Sequence, residues 1–150
     1  MKIISAPNNI LNQKTKKVMS FDRKLTEIID KMKDIKKQKD AVGLAANQIG
    51  VPYQIAVIGF KNKEDEKSSI PEMVLINPKI TWNSNNLLTQ SEKCLSVNGK
   101  DYDVTRPKKI HIQYQDPNGK KRKIKAKGIL ARIIQHEIDH LNGKKISDYQ

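Results

Sequence analysis

The chain has 150 residues, of which 37% are hydrophobic, and carries a formal net charge of +13 at pH 7. Apolar residues occur along its whole length, so the sequence predicts one folded domain over residues 1–150 and excludes a disordered tail. No stretch approaches the roughly 20 apolar residues of a membrane span, and the start holds too short an apolar run for a secretion signal. The single cysteine, Cys94, excludes an internal disulfide. We therefore expect a cytoplasmic protein without membrane contact.

The positive charge is concentrated in two lysine-rich segments, residues 31–40 and 119–128. Such charge favours a polyanionic partner such as RNA, DNA or the ribosome surface. It is more often typical of a lysine-coated, solvated surface, because net charge by itself says nothing about specificity. Neither segment contains the interleaved aromatic residues of a platform that binds single-stranded nucleic acid. The composition therefore leaves both interpretations open.

The first predicted element is an amphipathic helix over residues 23–35. Leu25, Ile29 and Met32 recur at the 3.6-residue period, and Asp22 is placed to cap the first turn. The first lysine-rich segment then forms the solvated face of this helix.

After this helix the sequence predicts two strands. Residues 40–50 are small and are predicted to be flexible, whereas residues 53–60 are typical of a buried strand. A polar surface loop is expected at residues 61–72. The second strand is predicted at residues 73–82, with an interruption at Pro78.

The remainder of the chain predicts a β-hairpin followed by a helix. Residues 108–116 and 121–127 alternate polar and apolar side chains, and an Asp-Pro-Asn-Gly turn at 116–119 joins them. Residues 130–141 carry apolar side chains at helical spacing, and Gly143 is suited to the end of that helix. Antiparallel strands packed around this helix, with the N-terminal amphipathic helix beside them, predict an α+β fold.

The last predicted helix contains the pattern His-Glu-x-x-His. His136 and His140 are one helical turn apart and project from the same side, so both imidazoles can reach one ion. Glu137 lies beside them, close enough to act on a metal-bound water without being a ligand. The pattern therefore indicates a metal site and favours hydrolysis.

Two histidines need a third ligand, and the sequence places it upstream. Ile146 stands where a longer zinc signature would have another histidine, and Asp148 is too close to the helix end to fold back. Upstream, His111 belongs to an alternating strand and Glu92 is an acidic residue of a common type. Cys94 follows a stretch expected to be irregular, and a thiolate with two imidazoles leaves an open position for water. This reasoning favours Cys94.

Three segments together resemble the motifs of the peptide deformylase family. They are GLAANQ at residues 43–48, EKCLS at 92–96 and QHEIDHLNG at 135–143, and they occur in the family's order. The resemblance extends over most of the chain. It implies removal of the formyl group from the N-terminal formyl-methionine of newly made polypeptides, with release of formate.

The resemblance also implies the metal chemistry. Cys94, His136 and His140 would hold one divalent ion, with Fe²⁺ expected in the cell and Zn²⁺, Ni²⁺ or Co²⁺ as further occupants. A divalent ion lowers the pKa of its bound water from 15.7 towards about 7, which supplies hydroxide at neutral pH. Glu137 would take the proton of this water and deliver it to the departing amine.

Other residues acquire expected roles from the same resemblance. Gln48 and the backbone N–H of Leu95 would form the oxyanion hole. Extended substrates would lie beside Val42 and Gly43, and the carbonyl of Lys93 would pair with the substrate backbone. Glu92 and Arg106 would form a structural ion pair that braces the cysteine loop.

The chain also departs from the family pattern. Lys93 precedes the cysteine where the family usually has glycine, and Ala41 begins the first motif where glycine is common. These changes affect expected substrate preference and rate rather than reaction type. Two alternatives stay open: a small metallopeptidase or aminopeptidase, and a non-catalytic metal- or RNA-binding relative. Ribosome contact is expected only through the basic surface, and the compartment could equally be an organelle or a virus-infected bacterium.

Overall fold

The computed structural model describes residues 2–149, apart from the side chain of Asn98. Its described part contains two α-helices, α1 at Arg23–Gln38 and α2 at Gly128–Leu141. The strands are β1 at Gly43–Ala45, β2 at Ile55–Phe60, β3 at Ile70–Asn83, β4 at Leu87–Cys94, β5 at Val97–Pro107, β6 at Lys109–Gln115 and β7 at Lys121–Lys127.

The strands form two antiparallel sheets. The larger sheet has the order β1-β2-β3-β6-β7, and the smaller one is the β4-β5 hairpin. β1 and β7 are therefore the edges of the larger sheet. This arrangement of antiparallel sheets with two helices confirms the predicted α+β fold.

The two helices cover opposite faces of the larger sheet. Alternate residues of β2 show this, because successive side chains of a strand point to opposite faces. Ile55 and Val57 pack in the cluster that contains the buried side of α1. Ala56 and Ile58 pack in the cluster that contains α2. The β1-β2 half of the sheet is thus buried on both sides.

Helix α1 begins and ends as the sequence predicts. The Asp22 side chain accepts a hydrogen bond of 3.1 Å from the backbone N–H of Leu25, which caps the first turn. Leu25, Ile29 and Met32 are buried, and Lys24, Lys31 and Lys37 are exposed. Lys36 instead donates to the carbonyl of Gly59 in β2 at 2.9 Å. No helix among the described residues is long and apolar enough to cross a membrane.

Helix α2 is more deeply buried than α1. Its inward side includes Ala131, Ile134 and Ile138, which pack against the larger sheet. The chain leaves it at Gly143, whose φ of 79° is the left-handed conformation that glycine adopts without strain. The helix therefore lies centrally, between the sheet and the β4-β5 hairpin.

Three local predictions were wrong. Residues 44–49 are not flexible: they form β1 and a 3₁₀ turn, and all are buried. The stretch before Cys94 is not irregular, because it is strand β4. The predicted surface loop ends early, since β3 already begins at Ile70.

The predicted interruption at Pro78 appears as a shift of register within a continuous strand. Asn77 has φ of 52°, and the pairing of β3 with β6 skips between Ile76 and Lys79. Proline cannot donate a hydrogen bond to a neighbouring strand, so it is tolerated at such an irregularity. Beyond this point β3 pairs with β6 rather than β2.

Candidate metal centre

Helix α2 and the end of β4 bring three metal-ligating side chains together. One ligand atom each from Cys94, His136 and His140 lies within 4.8 Å of the others. Cys94 Sγ is 3.2 Å from His140 Nε2. His136 and His140 are one turn apart on α2, while the Cys94 thiol comes from the end of β4 in the smaller sheet. The structure thus joins the residues that the sequence selected.

Glu92 orients the first imidazole. Its Oε1 lies 2.9 Å from His136 Nδ1, so Nε2 is the nitrogen that can face Cys94 and His140. Arg106 donates two hydrogen bonds to the same carboxylate, at 2.7 and 2.9 Å. Burial would raise the pKa of Glu92, but the hydrogen bonds from Arg106 and His136 lower it to about 2. The carboxylate is therefore ionised at neutral pH.

The two histidines differ electrostatically. Burial, and then the positive charges of His136 and Lys145, hold the pKa of His140 well below its ordinary value. Burial also disfavours the charged form of His136, but the Cys94 and Glu92 side chains outweigh it and raise the pKa of His136 to about 10. A cation bound at this site would therefore take the place of a proton on His136.

Glu137 is a buried carboxylic acid at the same site. It is 3% exposed, and burial raises its pKa to about 7. Within the described part of the chain its Oε1 has no hydrogen-bond partner. Gly43 packs directly against it, because a Cβ at position 43 would overlap Oε2 and lie 3.0 Å from Cδ. Such a group can hold or release a proton near neutral pH.

Gln48 lies on the other side of Cys94 and is fixed from both ends. Its Oε1 accepts a hydrogen bond of 2.9 Å from the backbone N–H of Ala45. Its Nε2 donates to Ser96 Oγ at 3.1 Å and lies 3.6 Å from Cys94 Sγ. The amide is 2% exposed, so one orientation is enforced at the edge of the site.

Cys94, His136 and Glu137 line one cleft of about 740 Å³. Val42 and Gly43 line this cleft, and Gly43 begins the edge strand β1. Lys93 and Leu95, the chain neighbours of Cys94, line it as well. Leu95 is 38% exposed, so it borders the opening. The cleft also contains Gln48, Glu92, Ile129, Arg132 and Ile133.

Comparison with known proteins identifies the family. The model of polypeptide deformylases matches residues 1–150. The chain belongs to the polypeptide deformylase family. A peptide deformylase of Rickettsia akari is 38% identical over 149 residues, which are 98% of this chain and 85% of that protein. The chloroplastic peptide deformylase 1B of Oryza sativa is 38% identical over 95% of this chain and 52% of its own length.

A solved deformylase structure has the same fold. A probable peptide deformylase from Synechococcus phage S-SSM7 superposes with a TM-score of 0.90 at 36% sequence identity. The match covers 99% of each chain. The fold expected from the deformylase resemblance is therefore confirmed.

The donor set fits the divalent metal that deformylases use. One thiolate and two imidazoles are ligands that Zn²⁺ and Fe²⁺ accept, and three protein ligands leave a position for reactants. A Glu carboxylate behind His136 is the usual support for a metal-bound imidazole. The buried Oε1 of Glu137, without a partner in the described residues, requires a polar group in the same space.

Two residues considered as ligands lie elsewhere. His111 is on β6, where its ring centroid is 4.6 Å from that of Trp82, so it is a sheet-face residue as predicted. Glu92 does not belong to the cluster of Cys94, His136 and His140, because it bonds to Arg106 and to the outer nitrogen of His136. Cys94 completes the cluster with His136 and His140.

Several supporting residues were missed at the sequence level. Arg132 bonds to Glu92 and to the carbonyl of Leu88, and Arg106 continues to Asp139 at 2.7 Å. Arg132 and Asp139 share helix α2 with the two histidines at spacings of one turn. This spacing could have placed Arg132 and Asp139 near the histidines. Their strand partners could not have been predicted, because those residues are distant in sequence.

Proposed function

We propose that this chain removes the formyl group from N-formyl-methionyl ends of newly made polypeptides and releases formate. The observation that carries the proposal is the cluster of Cys94, His136 and His140 beside the buried acid Glu137, at one cleft of a deformylase fold. A cleft that combines metal ligands with a proton carrier is suited to amide hydrolysis.

Cys94, His136 and His140 would hold one divalent ion. When bound, this ion would supply a Lewis acid that activates water and polarises the formyl carbonyl. Fe²⁺ is the proposed native ion, on the basis of the family resemblance. Zn²⁺, Ni²⁺ and Co²⁺ suit the same ligands, because intrinsic affinity does not favour iron over zinc. Glu92 holds His136 so that Nε2 points inward.

Glu137 is the proposed proton carrier. Its pKa of about 7 allows it to accept a proton from the attacking water and to deliver that proton to the amine nitrogen that leaves. Water then supplies the oxygen of formate, and the peptide regains a free amino group. Because Gly43 has no Cβ, it leaves the space that this carboxylate occupies.

Gln48 and the backbone N–H of Leu95 are the proposed donors to the formyl oxygen. Gln48 is suited to this role because Ala45 and Ser96 fix its amide next to Cys94. A donor that is already oriented needs no reorganisation as charge develops. Loss of one such donor costs about 10²–10³ in rate, so Gln48→Ala should be severely impaired.

The substrate peptide is proposed to lie extended along β1. This strand is an edge of the larger sheet, and an edge presents free backbone groups to an added strand. Val42 and Gly43 would pair with the peptide on that side, and the carbonyl of Lys93 would pair with it on the other. The two walls of the cleft would thus fix the formyl group over the ligands.

We also propose a location and a contact in the cell. The relatives include a bacterial and a chloroplastic deformylase, which supports the cytoplasm or an organelle with bacterial-type protein synthesis. The lysines of residues 120–127 would make transient ribosome contact. Co-sedimentation with ribosomes that is unchanged when these lysines are neutralised would contradict that contact.

One experiment tests the central proposal. The protein is purified without oxygen, its metal content is measured, and formate release from formyl-Met-Ala-Ser is assayed. Cys94→Ala should lose the metal, whereas Glu137→Gln should keep the metal and lose turnover. Retention of both metal and activity in Cys94→Ala would refute the site. Activity on unformylated peptides alone would select an aminopeptidase instead.

A further inference from the structure

The larger sheet has one strongly basic outer face. It is formed by the second half of β3 with β6 and β7, on the side opposite α2. Cross-strand partners share this face, namely Lys109 with Lys127, His111 with Lys125 and Gln113 with Lys123. Their neighbours Ile110, Ile112 and Ala126 point the other way, into the core with α2. We call this outer surface the basic sheet face.

The charge of the basic sheet face has one sign. Residues 76–83, 109–115 and 121–127 contain no Asp or Glu. The lysines of this face are all exposed: Lys79, Lys109, Lys121, Lys123, Lys125 and Lys127. Arg122 belongs to the other side of β7, where it pairs with Asp116 at 3.2 Å. By contrast, α1 mixes lysines with Glu27, Asp30 and Asp34. A continuous face of one sign is the electrostatic footprint of a polyanion site.

The sheet also places an aromatic pair within this charge. Trp82 comes from β3 and lies beside His111 of β6, with ring centroids 4.6 Å apart and planes inclined by 38°. Trp82 is 46% exposed and is the only tryptophan in the chain. Its position among lysines is invisible in the sequence, because the aromatic residue and the lysine-rich segment lie on different strands.

The need to protect a sheet edge from pairing explains only some of the lysines on the basic sheet face. Lysines on an edge strand such as β7 discourage pairing with other chains. However, Lys79 and Lys109 are on the interior strands β3 and β6, where no edge needs protection. The exposed Trp82 adds a large flat apolar surface that is suited to stacking with a planar ring.

We propose that the basic sheet face binds RNA with unpaired bases. Phosphates would contact the lysines of β6 and β7, and a base would stack on Trp82, whose ring is supported by His111. Aromatic stacking combined with lysine contacts is how sheet surfaces hold single strands. This inference deepens the proposed ribosome contact, and it does not depend on deformylase activity.

Because Trp82 is the single tryptophan of the chain, tryptophan emission reports directly on the basic sheet face. The intact protein is titrated with a fluorescein-labelled oligo(U) RNA of about 12 nucleotides, while Trp82 emission and RNA anisotropy are recorded. We expect quenching of Trp82 together with binding that weakens as salt rises. Trp82→Leu should lower affinity about tenfold. Lys123→Glu combined with Lys125→Glu should lower it by more than tenfold.

A matched control distinguishes an effect of the basic sheet face from an effect of the net charge of the protein. Lys24→Glu combined with Lys31→Glu makes the same change of charge on α1, and we expect it to alter affinity by less than about threefold. Equal loss in both double variants, or RNA binding without quenching of Trp82, would overturn the proposal. Binding to phosphatidylserine vesicles but not to RNA would do so as well. Formate release measured on the same samples verifies folding and reports separately on the proposed activity.

Discussion

Glu92 and His136 are joined by a hydrogen bond of 2.9 Å between Oε1 and Nδ1. Because Glu92 is ionised, His136 is the donor, and its Nε2 faces Cys94. The ion pair of Glu92 with Arg106 therefore does more than brace the hairpin. It holds the carboxylate in the position that fixes one ligand of the site, as outer partners of metal-bound imidazoles usually do.

Replacing this carboxylate should weaken metal binding. In Glu92→Gln the neutral amide would hold His136 less firmly and would leave Asp139 as the remaining carboxylate partner of Arg106, so we expect a 10–100-fold loss of Zn²⁺ affinity. Competition with a chromogenic chelator measures this. Glu72→Gln is the matched control, because Glu72 is exposed and, among residues 2–149, its salt bridge is with Lys33 at 3.5 Å. Equal affinities of Glu92→Gln and the control would contradict the role.

The same carboxylate should make metal-free protein sensitive to acid. Folding lowers the pKa of Glu92 from 4.5 to about 2, so its contribution is complete above pH 4.5 and is lost as pH falls towards 2. The loss should amount to about 2–3 kcal/mol in the free energy of unfolding. Urea denaturation between pH 6 and pH 3 in the presence of EDTA measures it. Glu92→Gln should show a flatter dependence, and parallel curves would count against the prediction.

Gly43 should be intolerant of a side chain because of its contact with Glu137. A methyl group would displace the carboxylate, so Gly43→Ala should keep its metal while kcat falls by at least about tenfold. Glu137→Asp withdraws the carboxylate from this contact. The two changes should therefore be non-additive, with Gly43→Ala costing little in the Glu137→Asp background. Additive losses in the four kcat values would show that the two residues act independently.

The sequence predicted the elements that have a regular apolar period. Helix α1, helix α2 and the β6-β7 hairpin lie close to their predicted positions. Helix α1 and the hairpin each have a buried and a solvated side, and α2 carries apolar residues at helical spacing. The β4-β5 hairpin was missed. Residues 87–91 of β4 are all exposed, so this strand carries no alternation of apolar and polar residues. Its stability comes from its neighbours, such as Arg132, rather than from its own pattern.

The metal-ligating residues of the candidate site could be predicted from the sequence, but the side chains that hold them in place could not. His136 and His140 follow from helical spacing, and the choice of Cys94 follows from ligand type. The contact of Gln48 with Ser96 depends on the turn that β4 and β5 make. The contact of Arg106 with Asp139 joins residues 33 positions apart. Such contacts depend on tertiary structure and leave no local sequence signal.

Arg132 should contribute to the stability of the fold. Its guanidinium donates to the carbonyls of Val104 at 3.0 Å and Leu88 at 2.6 Å, and so ties α2 to both strands of the hairpin. Arg132→Met would leave these acceptors without their donor and should cost about 2–3 kcal/mol, measured by urea denaturation. Arg122→Met, at a half-exposed arginine, should cost less than about 1 kcal/mol. A similar loss of unfolding free energy in both variants would contradict the role of Arg132 in joining α2 to the hairpin.

Lys93 should give the enzyme a preference for acidic residues after formyl-methionine. Lys93 lines the cleft, and its side chain is 79% exposed. Its Nζ lies 3.7 Å from Oδ1 of Asp101. An acidic peptide residue would replace Asp101 as its partner, so formyl-Met-Ala-Glu should have a two- to fivefold lower KM than formyl-Met-Ala-Lys, which corresponds to roughly 0.4–1 kcal/mol. Lys93→Gln should abolish this difference, and Asp101→Asn should enlarge it because Lys93 is then unpaired. A preference that persists in Lys93→Gln, or is unaffected by 0.5 M salt, would assign it to another residue, because screening should remove an exposed charge interaction.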